Sequence, residues 1–558
     1  MVKRLFSNTP TLLELINLSK SASKSIIKGT LVLITGNIIV KIIGAFFKLP
    51  LANIIGADGM GLYNASFIVF DIFLVLSTAG FPLAVSKMVA NCCAHGKPAE
   101  ALKTFSVARN CFFIIGITFS IIMLFGAKLF SELIGNTRSF YCIIVLSPAV
   151  LFVSLMSAYR GYYQGTNDMV PTTISQIIEA ICRLVVGLSL SWYLKSAGFD
   201  PQIIAAGAMV GITVGEFSST FALAMIHKFR QRKRKTQLKC TTSTSKIVKT
   251  MFSTSTPIGV SIIIISVINM LDNAVVMHRL QDTGLREYQA NTLYGTYNMA
   301  FTVFALPITI VSALTISIFP IITYAFACGN KKRVTRTAQA SLRISMIVAM
   351  ASTAVFLSLS SPIINLLYFN QPSAAKIAVP LLMLLAPSAI MIALSMLTTI
   401  ILQATDKLIT PSRSMIIGGI ACLISNWFLV GNKSFGIYGA PAGIFICYTI
   451  TSILNIIALN KSKNVKITFR SLFYKPFVPA AVMGATGYIT FKITYTVFGL
   501  LKASALSLSA SFIIYLLVLF FNNTIERDDL LLLPKGYKLV RLLERIHLMQ
   551  PKAFTSKT

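Results

Sequence analysis

The sequence contains about fourteen apolar segments, each long enough to cross a membrane as a helix. A helix of about 20 apolar residues spans a bilayer and satisfies its own backbone hydrogen bonds there. The chain has a mean hydropathy of +0.76, and hydrophobic residues make up 55% of its 558 positions. These values exclude a soluble globule and predict an all-α polytopic membrane protein. The predicted spans are 30–50, 62–89, 107–127, 139–162, 171–194, 201–226, 250–277, 292–320, 339–360, 377–402, 412–430, 436–459, 475–496 and 500–522.

The distribution of positive charge predicts the orientation of these spans. The chain carries 50 Lys and Arg against 17 Asp and Glu, a formal net charge of +33. If the N-terminus is placed in the cytoplasm, most of the basic residues fall in cytoplasmic segments, as the positive-inside rule requires. We therefore predict a multi-pass cell-membrane protein with both termini in the cytoplasm.

One loop between spans is strongly basic. Residues 227–249, "HKFRQRKRKTQLKCTTSTSKIVK", contain nine Lys or Arg and no acidic residue. Such a loop could bind RNA, but between membrane spans it is more typical of a topology anchor beside anionic lipid. The interpretation we favour is the anchor, with no nucleic-acid partner.

Several classes of chemistry have no support in the sequence. The nine cysteines form no C-x-x-C pair, so neither a disulfide framework nor a zinc site is expected. No HExxH or Ser/His/Asp set is found, and no cleaved signal peptide is expected. The segment "GADGMG" (56–61) lacks the Lys-Ser/Thr of a phosphate-binding loop, and its glycines favour a tight turn between the first two spans. We expect no catalytic residues, metal or cofactor.

The chain repeats itself. At an offset of 239, "LSPAVLFVSLMSAYRGYYQGTND" (146–168) matches "LAPSAIMIALSMLTTIILQATDK" (385–407). A weaker match sets 62–80 against 293–311. Six predicted spans precede the basic loop, so the two copies have the same orientation in the membrane. Parallel repeats of this kind build the two lobes of many transporters, with the substrate site between them.

The repeat divides the chain into six parts and predicts two parallel six-helix lobes plus two additional C-terminal helices. The parts are a cytoplasmic N-terminal arm (1–29), a first lobe (30–227), a basic cytoplasmic linker (228–249), a second lobe (250–460), the additional helices (461–522) and a cytoplasmic tail (523–558).

The first two spans carry polar stripes. Asn37, Lys41 and Lys48 have the spacing i, i+4, i+11, which places them on one helix face. A charge at the centre of a membrane helix costs roughly 2.5 to 3.5 kcal/mol, so it normally serves a function. Lys48 could instead snorkel to the membrane interface. Asn64 and Asp71 continue the pattern at heptad spacing in the second span. Because lysines suit anions such as phosphate, we predict that Asn37, Lys41, Lys48 and Asn64 bind substrate.

Acidic residues within the predicted spans are candidates for ion coupling. Glu179 and Arg183 are spaced i, i+4 and can form an ion pair, which could equally be structural. Intramembrane carboxylates commonly bind protons or sodium. We therefore predict that Asp71, Glu179, Arg183, Glu216 and Asp272 line the cavity or couple transport to a proton gradient, a sodium gradient or the membrane potential.

Two motifs make the sequence similar to a known family. "IIGADGMGLYNASF" and "QGTNDMVPTTISQIIEAICR" resemble the polysaccharide transporter and stage V sporulation protein B branch of the MOP exporter superfamily, which also includes MurJ-type lipid II flippases and MATE drug exporters. The resemblance covers essentially all fourteen spans. It implies two lobes in a V shape, a cationic cavity, and a groove for a lipid tail formed by the additional helices. Lys41 and Lys48 match cationic positions of the first helix, and Glu179 and Arg183 match the second motif.

The resemblance and the buried charges lead to one functional hypothesis and two rivals. The hypothesis is a flippase that moves an undecaprenyl-pyrophosphate-linked cell-wall or polysaccharide precursor to the outer leaflet by alternating access, for peptidoglycan or spore cortex synthesis. Its expected partners are the precursor, membrane lipids, and cell-wall or sporulation machinery. One rival is a cation-coupled MATE-type multidrug exporter, which Lys41 disfavours. The other is a non-transporting membrane scaffold, which would tolerate neutral replacements of the buried charges.

Overall fold

The structure is a computed structural model that describes residues 12–232, 243–461, 470–522 and 524. Fifteen α-helices make up most of this part of the chain, and no β-strand occurs among the described residues. The predicted all-α class is confirmed. The central residues of the predicted basic linker (233–242) and almost all of the predicted tail lie outside the described residues.

We call helices α1 to α7 the first lobe and helices α8 to α14 the second lobe. The first lobe comprises α1 (Leu12–Thr78), α2 (Phe81–Ala94), α3 (Pro98–Phe125), α4 (Ala127–Leu133), α5 (Phe140–Gly165), α6 (Val170–Ser196) and α7 (Pro201–Arg232). The second lobe comprises α8 (Thr244–Asp282), α9 (Glu287–Ala327), α10 (Lys331–Leu367), α11 (Pro372–Leu385), α12 (Ser388–Ala404), α13 (Ile409–Val430) and α14 (Ala440–Lys461). The last helix is α15 (Lys475–Phe521).

Helix α1 folds back on itself at Gly56. The rings of Phe47 and Tyr63 lie 6.1 Å apart, whereas sixteen residues of straight helix would separate them by about 24 Å. Gly56 has a φ of 72°, a left-handed backbone that glycine adopts without a steric penalty. This glycine makes the tight turn that was predicted between the first two spans.

Helix α15 folds back in the same way, at Gly499, whose φ is 71°. A Cβ atom placed on Gly487 would lie 2.6 Å from Ser511 Oγ, although 24 residues of straight helix cover about 36 Å. The two arms of α15 are therefore an antiparallel pair. They correspond to the two additional helices that the sequence predicted.

The number of membrane passes agrees with the prediction. Eleven described helices are long and apolar enough to cross a membrane, and α11 with α12, bent by 48°, form a twelfth span. Because α1 and α15 each fold back, the described helices make about fourteen passes. The protein is a multi-pass membrane protein.

A backbone detail supports the internal repeat. Among the described residues, Asn167 and Asp406 are the two non-glycine positions with positive φ, at 58° and 61°. They are 239 positions apart, which is the offset of the sequence match. Asn167 lies in the turn from α5 to α6, and Asp406 lies in the turn from α12 to α13. The same left-handed turn therefore recurs at equivalent places in the two lobes.

Small residues bring α6 and α7 into close contact. A Cβ atom on Gly211 would lie 2.6 Å from Gly187 Cα, and one on Gly215 would lie 2.8 Å from the backbone oxygen of Glu179. Only glycine permits this approach without displacing backbone. The contact places Glu216 of α7 beside the charged face of α6.

Candidate functional site

The interior of the first lobe contains a network of ion pairs. Glu179 Oε1 accepts a hydrogen bond from Arg183 Nη2 at 3.1 Å, which is the predicted i, i+4 ion pair. Glu179 Oε2 accepts from Arg160 Nη2 of α5 at 3.0 Å. Arg183 Nη2 also lies 3.7 Å from Glu216 Oε1 of α7. The predicted pair is therefore part of a larger network that joins α5, α6 and α7.

A further cation lies beside this network. Lys48 of α1 is close enough to Arg183 for the two positive charges to repel, and its ammonium has no hydrogen-bond partner among the described residues. Glu216 is 3% exposed, and neither its Oε2 atom nor Arg183 Nε has a hydrogen-bond partner within the described ranges. We call Lys48, Arg160, Glu179, Arg183 and Glu216 the first-lobe charge cluster. With every group ionised, it has three positive and two negative charges.

Lys41 does not join this cluster. Its ammonium donates a hydrogen bond to the Ser312 hydroxyl of α9. Lys41 lines a largely apolar groove of about 530 Å³ between α1 and α9, together with side chains such as Phe46 and Leu306. Asn37, one helical turn earlier, is half-buried. The predicted stripe therefore divides, because Lys48 lies inside the first lobe and Lys41 lies at the boundary between the lobes.

The polar residues of the second span also separate. Asn64 Nδ2 donates to the backbone oxygen of Met60 at 2.7 Å, so part of its hydrogen bonding is satisfied within its own helix. Asp71 Oδ2 accepts a hydrogen bond from Ser266 Oγ of α8 at 3.1 Å. Asp71 therefore bridges the two lobes through α1 and α8.

Asp272 lies inside the second lobe. Its Oδ1 atom accepts a hydrogen bond from Asn426 Nδ2 at 2.7 Å, and Cys422 Sγ is 3.5 Å away. It lines a cavity of about 350 Å³ bounded by α8, α9, α13 and α14. The polar lining of this cavity consists of asparagines, tyrosines, cysteines and Asp272. We call it the second-lobe cavity.

Charged and amide side chains join the two lobes where α8 leads into α9. Arg138 pairs with Asp58 through two hydrogen bonds of 2.7 and 2.9 Å. Asn291 Nδ2 donates to Asp58 Oδ1 at 2.6 Å and to its backbone oxygen at 2.8 Å. Glu287 accepts from Thr137 Oγ1 at 2.9 Å and from the Arg138 backbone N–H at 3.2 Å. We call Asp58, Thr137, Arg138, Glu287 and Asn291 the end network.

The lobes also meet through close contacts near both ends of the spans. Beside the end network, a Cβ atom on Gly295 would overlap the backbone oxygen of Ala57. At the opposite end, the rings of Phe81 and Phe252 are 5.2 Å apart in an edge-to-face arrangement. One end is therefore closed by charged groups and the other by apolar groups.

The sequence did not reveal several of these partners. Arg160 lies nineteen positions before Glu179 on a different helix, and helical periodicity relates only residues of the same helix. A signal was nevertheless present, because an arginine within an apolar segment is itself costly. Asp58 was included in a motif that we interpreted only as a turn. Asn291 and Arg138 lie at predicted span ends, where polar residues are common and therefore do not indicate a site.

The fold and these sites define a class of protein. Two lobes of like-oriented helices, joined along a boundary and carrying buried charges in their interiors, form a polytopic membrane transporter. The chain belongs to the polysaccharide biosynthesis protein family, whose model matches residues 26–326. A second family model, MatE, matches residues 257–428. The predicted family membership is confirmed.

Similar proteins are found among curated bacterial sequences. Stage V sporulation protein B of Bacillus subtilis (strain 168) is 24% identical over 521 residues, covering 92% of this chain and 98% of the relative. The lipid II flippase MurJ of the same organism is 24% identical over 419 residues, covering 72% of this chain and 77% of the relative.

Solved structures show the same fold. Lipid II flippase MurJ in its inward closed conformation has a TM-score of 0.67 and 15% sequence identity, covering 88% of this chain and 99% of that chain. An inward-facing multidrug resistance MATE family transporter of the MOP superfamily has a TM-score of 0.61 and 14% identity, covering 75% and 94%. The chain therefore has the fold of MOP-superfamily transporters.

Proposed function

We propose that the protein is a flippase that moves an undecaprenyl-pyrophosphate-linked saccharide precursor to the outer leaflet by alternating access. The two lobes would rock against each other, opening the boundary at one end while closing it at the other. The relatives named above include a lipid II flippase and a sporulation protein. Peptidoglycan or spore cortex synthesis is accordingly the proposed context, with cell-wall or sporulation machinery as partner.

The observation that carries this proposal is the net positive charge of the first-lobe charge cluster. Among the described residues, Lys48 has no hydrogen-bond partner, and Arg183 Nε is an unpaired donor near it. A pyrophosphate that crosses an apolar interior without counter-charges would cost many kcal/mol. Unpaired cationic donors offset part of that cost and bind phosphate oxygens with charge-assisted hydrogen bonds. We therefore assign the pyrophosphate to Lys48 and Arg183.

Two apolar grooves supply routes for a long lipid tail. The groove of about 530 Å³ at Lys41 lies between α1 and α9 and contains almost no polar surface. A second groove, of about 510 Å³, is formed by α10, α12 and α15 and is lined by side chains such as Met350, Leu357 and Phe477. Burying a prenyl chain in such grooves is favourable because apolar surface leaves water. Lys41 would meet the pyrophosphate where the tail passes between the lobes.

The orientation that fits this function places both termini in the cytoplasm, as the basic residues indicate. The end network then faces outward, and the Phe81 end faces the cytoplasm. The domain boundaries that we predicted from the repeat fit this arrangement, with the basic linker at 228–249 on the cytoplasmic side.

Coupling to an ion gradient would use the buried acids. Asp71 connects the lobes through Ser266, so a change in its charge would alter a contact between them. The other candidates for ion coupling are Asp272 of the second lobe and Glu216 of the first lobe. If protons or sodium drive transport, Asp71→Asn or Asp272→Asn should remove the dependence on the gradient. If neither variant changes it, the membrane potential acts on the charge of the substrate instead.

Export of cationic drugs is a second candidate function. The MatE model matches residues 257–428, and Asp272 lies in this region within a tyrosine-lined cavity. An acid surrounded by aromatic rings suits an organic cation. The positive charge of Lys48 favours an anionic pyrophosphate lipid over a cationic drug as the substrate.

The test is flipping of fluorescent lipid II by purified protein in proteoliposomes. Wild-type protein should flip the lipid, and Lys48→Gln should reduce the rate at least about tenfold, because one charge-assisted contact is worth roughly 1.5 to 3 kcal/mol. Lys87→Gln is the matched control, since Lys87 is an exposed lysine of α2. No flipping by wild-type protein, or equal rates for Lys48→Gln and wild type, would contradict the proposal. A non-transporting scaffold would neither flip lipid II nor export cationic drugs.

A further inference from the structure

A cavity of about 360 Å³ lies at the end of the first lobe where the basic loop at 227–249 begins. The start of α3, the end of α5 with the turn that follows it, and the end of α7 surround this cavity. Its volume is within the range of roughly 300 to 1,000 Å³ that is typical of small-molecule sites. We call it the linker cavity, and it is separate from the proposed pyrophosphate site and from the two lipid-tail grooves. Its lining includes Tyr162, Tyr163, Thr166, Asp168, His227 and Arg230.

Aromatic rings hold His227 in the wall of the linker cavity. Its ring centroid lies 4.3 Å from that of Phe105 and 5.3 Å from that of Tyr162. Its Nε2 atom is 2.7 Å from Gln231 Nε2, and its Nδ1 atom is 3.5 Å from the Tyr163 hydroxyl. Because an amide nitrogen only donates, His227 Nε2 accepts, and the neutral ring carries its hydrogen on Nδ1, facing the Tyr163 oxygen. The Tyr163 hydroxyl is therefore left to donate its own hydrogen.

The side chains around the linker cavity have more donors than acceptors to spare. Asp168 Oδ2 accepts from Arg230 Nη1, and Asp168 Oδ1 accepts from the Val170 backbone N–H at 3.3 Å, so both carboxylate oxygens are used. Arg230 has several further N–H groups, and within the described ranges Asp168 is its one hydrogen-bond acceptor. The Tyr163 hydroxyl and the second N–H of the Gln231 amide add to these donors. An occupant must therefore supply acceptors, as an oxyanion does.

The internal repeat shows that the fold does not by itself require these side chains. At the offset of 239, Tyr163 and Asp168 correspond to Leu402 and Lys407, and both copies have the same left-handed turn. Leu402 is fully buried, and Lys407 Nζ donates to the Ala458 backbone oxygen of α14 at 3.3 Å. The second lobe therefore has an apolar side chain and a lysine bonded to a neighbouring helix where the first lobe has a tyrosine and an acid. This difference favours a binding role for the first-lobe side chains.

We propose that the linker cavity binds a phosphate group from the cytoplasmic side of the membrane. Arg230 would bind phosphate oxygens through its remaining N–H groups, and the Tyr163 hydroxyl and the Gln231 amide would donate to the same group. The headgroup of an anionic phospholipid and a soluble phosphate ester both offer this chemistry, and the basic loop that begins here attracts either of them. The inference goes beyond the proposed flippase activity and uses only the proposed orientation, in which this end of the first lobe faces the cytoplasm.

The experiment measures binding to the full-length protein with two probes that distinguish the two sources. The first probe is phosphatidylglycerol in phosphatidylcholine nanodiscs, with retained lipid followed by native mass spectrometry. The second is glycerol 3-phosphate, followed by isothermal titration calorimetry. Binding of the first alone identifies a lipid site, and binding of the second alone identifies a site for a soluble ester. Arg230→Gln should weaken the binding at least about tenfold. The matched control is Lys228→Gln, which removes the same charge from an exposed side chain outside the cavity lining.

Two milder variants separate a phosphate site from a structural ion pair. Tyr163→Phe removes only the hydroxyl, so it should fold normally and weaken binding a few-fold. Asp168→Asn removes the acid that competes for Arg230 and keeps an oxygen for the Val170 N–H, so it should tighten binding. The site is overturned if wild-type protein binds neither probe, if Arg230→Gln binds as tightly as wild type, or if Asp168→Asn weakens binding. Because no transport is measured, each of these results is independent of the proposed flippase activity.

Discussion

The interiors of the two lobes differ in charge although the lobes derive from one repeat. The first lobe encloses three cations and two carboxylates, and Lys48, near Arg183, has no partner in the part of the chain that the structure describes. The second lobe encloses Asp272, several amides and a row of rings around a cavity. Equivalent helices therefore carry a charged cluster in the first lobe and mainly neutral polar side chains in the second. A shared backbone can therefore enclose interiors of different chemistry.

The largest effect should come from breaking the first-lobe charge cluster. Glu179→Gln leaves Arg160 and Arg183 without their shared carboxylate. Removing one member of a buried ion network costs on the order of 3 kcal/mol, because the remaining charges stay desolvated. We expect a clear loss of thermal stability for purified protein in detergent, measured by scanning fluorimetry. An unchanged unfolding temperature would mean that the cluster contributes no stability.

Asp272→Asn is the comparison variant in the second lobe. The substitution removes the carboxylate charge from the cavity and keeps its shape, and a neutral amide is cheaper to bury than a carboxylate. The change in stability should therefore stay within about 1 kcal/mol. A loss as large as that of Glu179→Gln would contradict the distinction between a charged and a neutral lobe.

A smaller structural effect but a clear functional loss is expected for Lys41→Ala. The variant should insert normally, because a charge is removed from a membrane helix, yet it should lose at least about tenfold in flipping. Lys41→Arg should retain more activity, since it keeps the charge. Ser312→Ala removes only the hydrogen-bond partner and is the control. Complementation of a flippase-deficient strain by Lys41→Ala at normal abundance would refute a role for this charge.

The smallest effect concerns the contact between the lobes beside the end network. Gly295→Ala would place a Cβ against the backbone oxygen of Ala57, so the lobes cannot meet there without a shift. We expect a modest population shift toward a state that is open at the end network, a few-fold in equilibrium constant. The readout is labelling of a cysteine placed at position 57 by an impermeant thiol reagent. Reduced labelling relative to the matched cysteine variant would contradict this expectation.

Much of the fold followed from the sequence because hydrophobic length and charge placement are local signals. The passes, the turn at Gly56 and the repeat could all be predicted from patterns of a few dozen residues. The grouping of site residues could not, because it depends on packing between helices distant in sequence. Lys41 and Lys48 share a helix face, yet Lys41 bonds to Ser312 of α9, whereas Lys48 lies near enough to Arg183 of α6 for their charges to repel.

The central claim is that the first lobe's charges serve the pyrophosphate of the substrate. The most direct test measures the flipping of two lipids in proteoliposomes. Both carry the same undecaprenyl chain and the same saccharide, and they differ only in the linkage, which is a pyrophosphate in one and a monophosphate in the other. Wild-type protein should flip the pyrophosphate lipid at least about tenfold faster, and Lys48→Gln should remove that preference while Lys87→Gln keeps it. Equal rates for the two lipids in wild-type protein, or a preference that survives Lys48→Gln, would contradict the account.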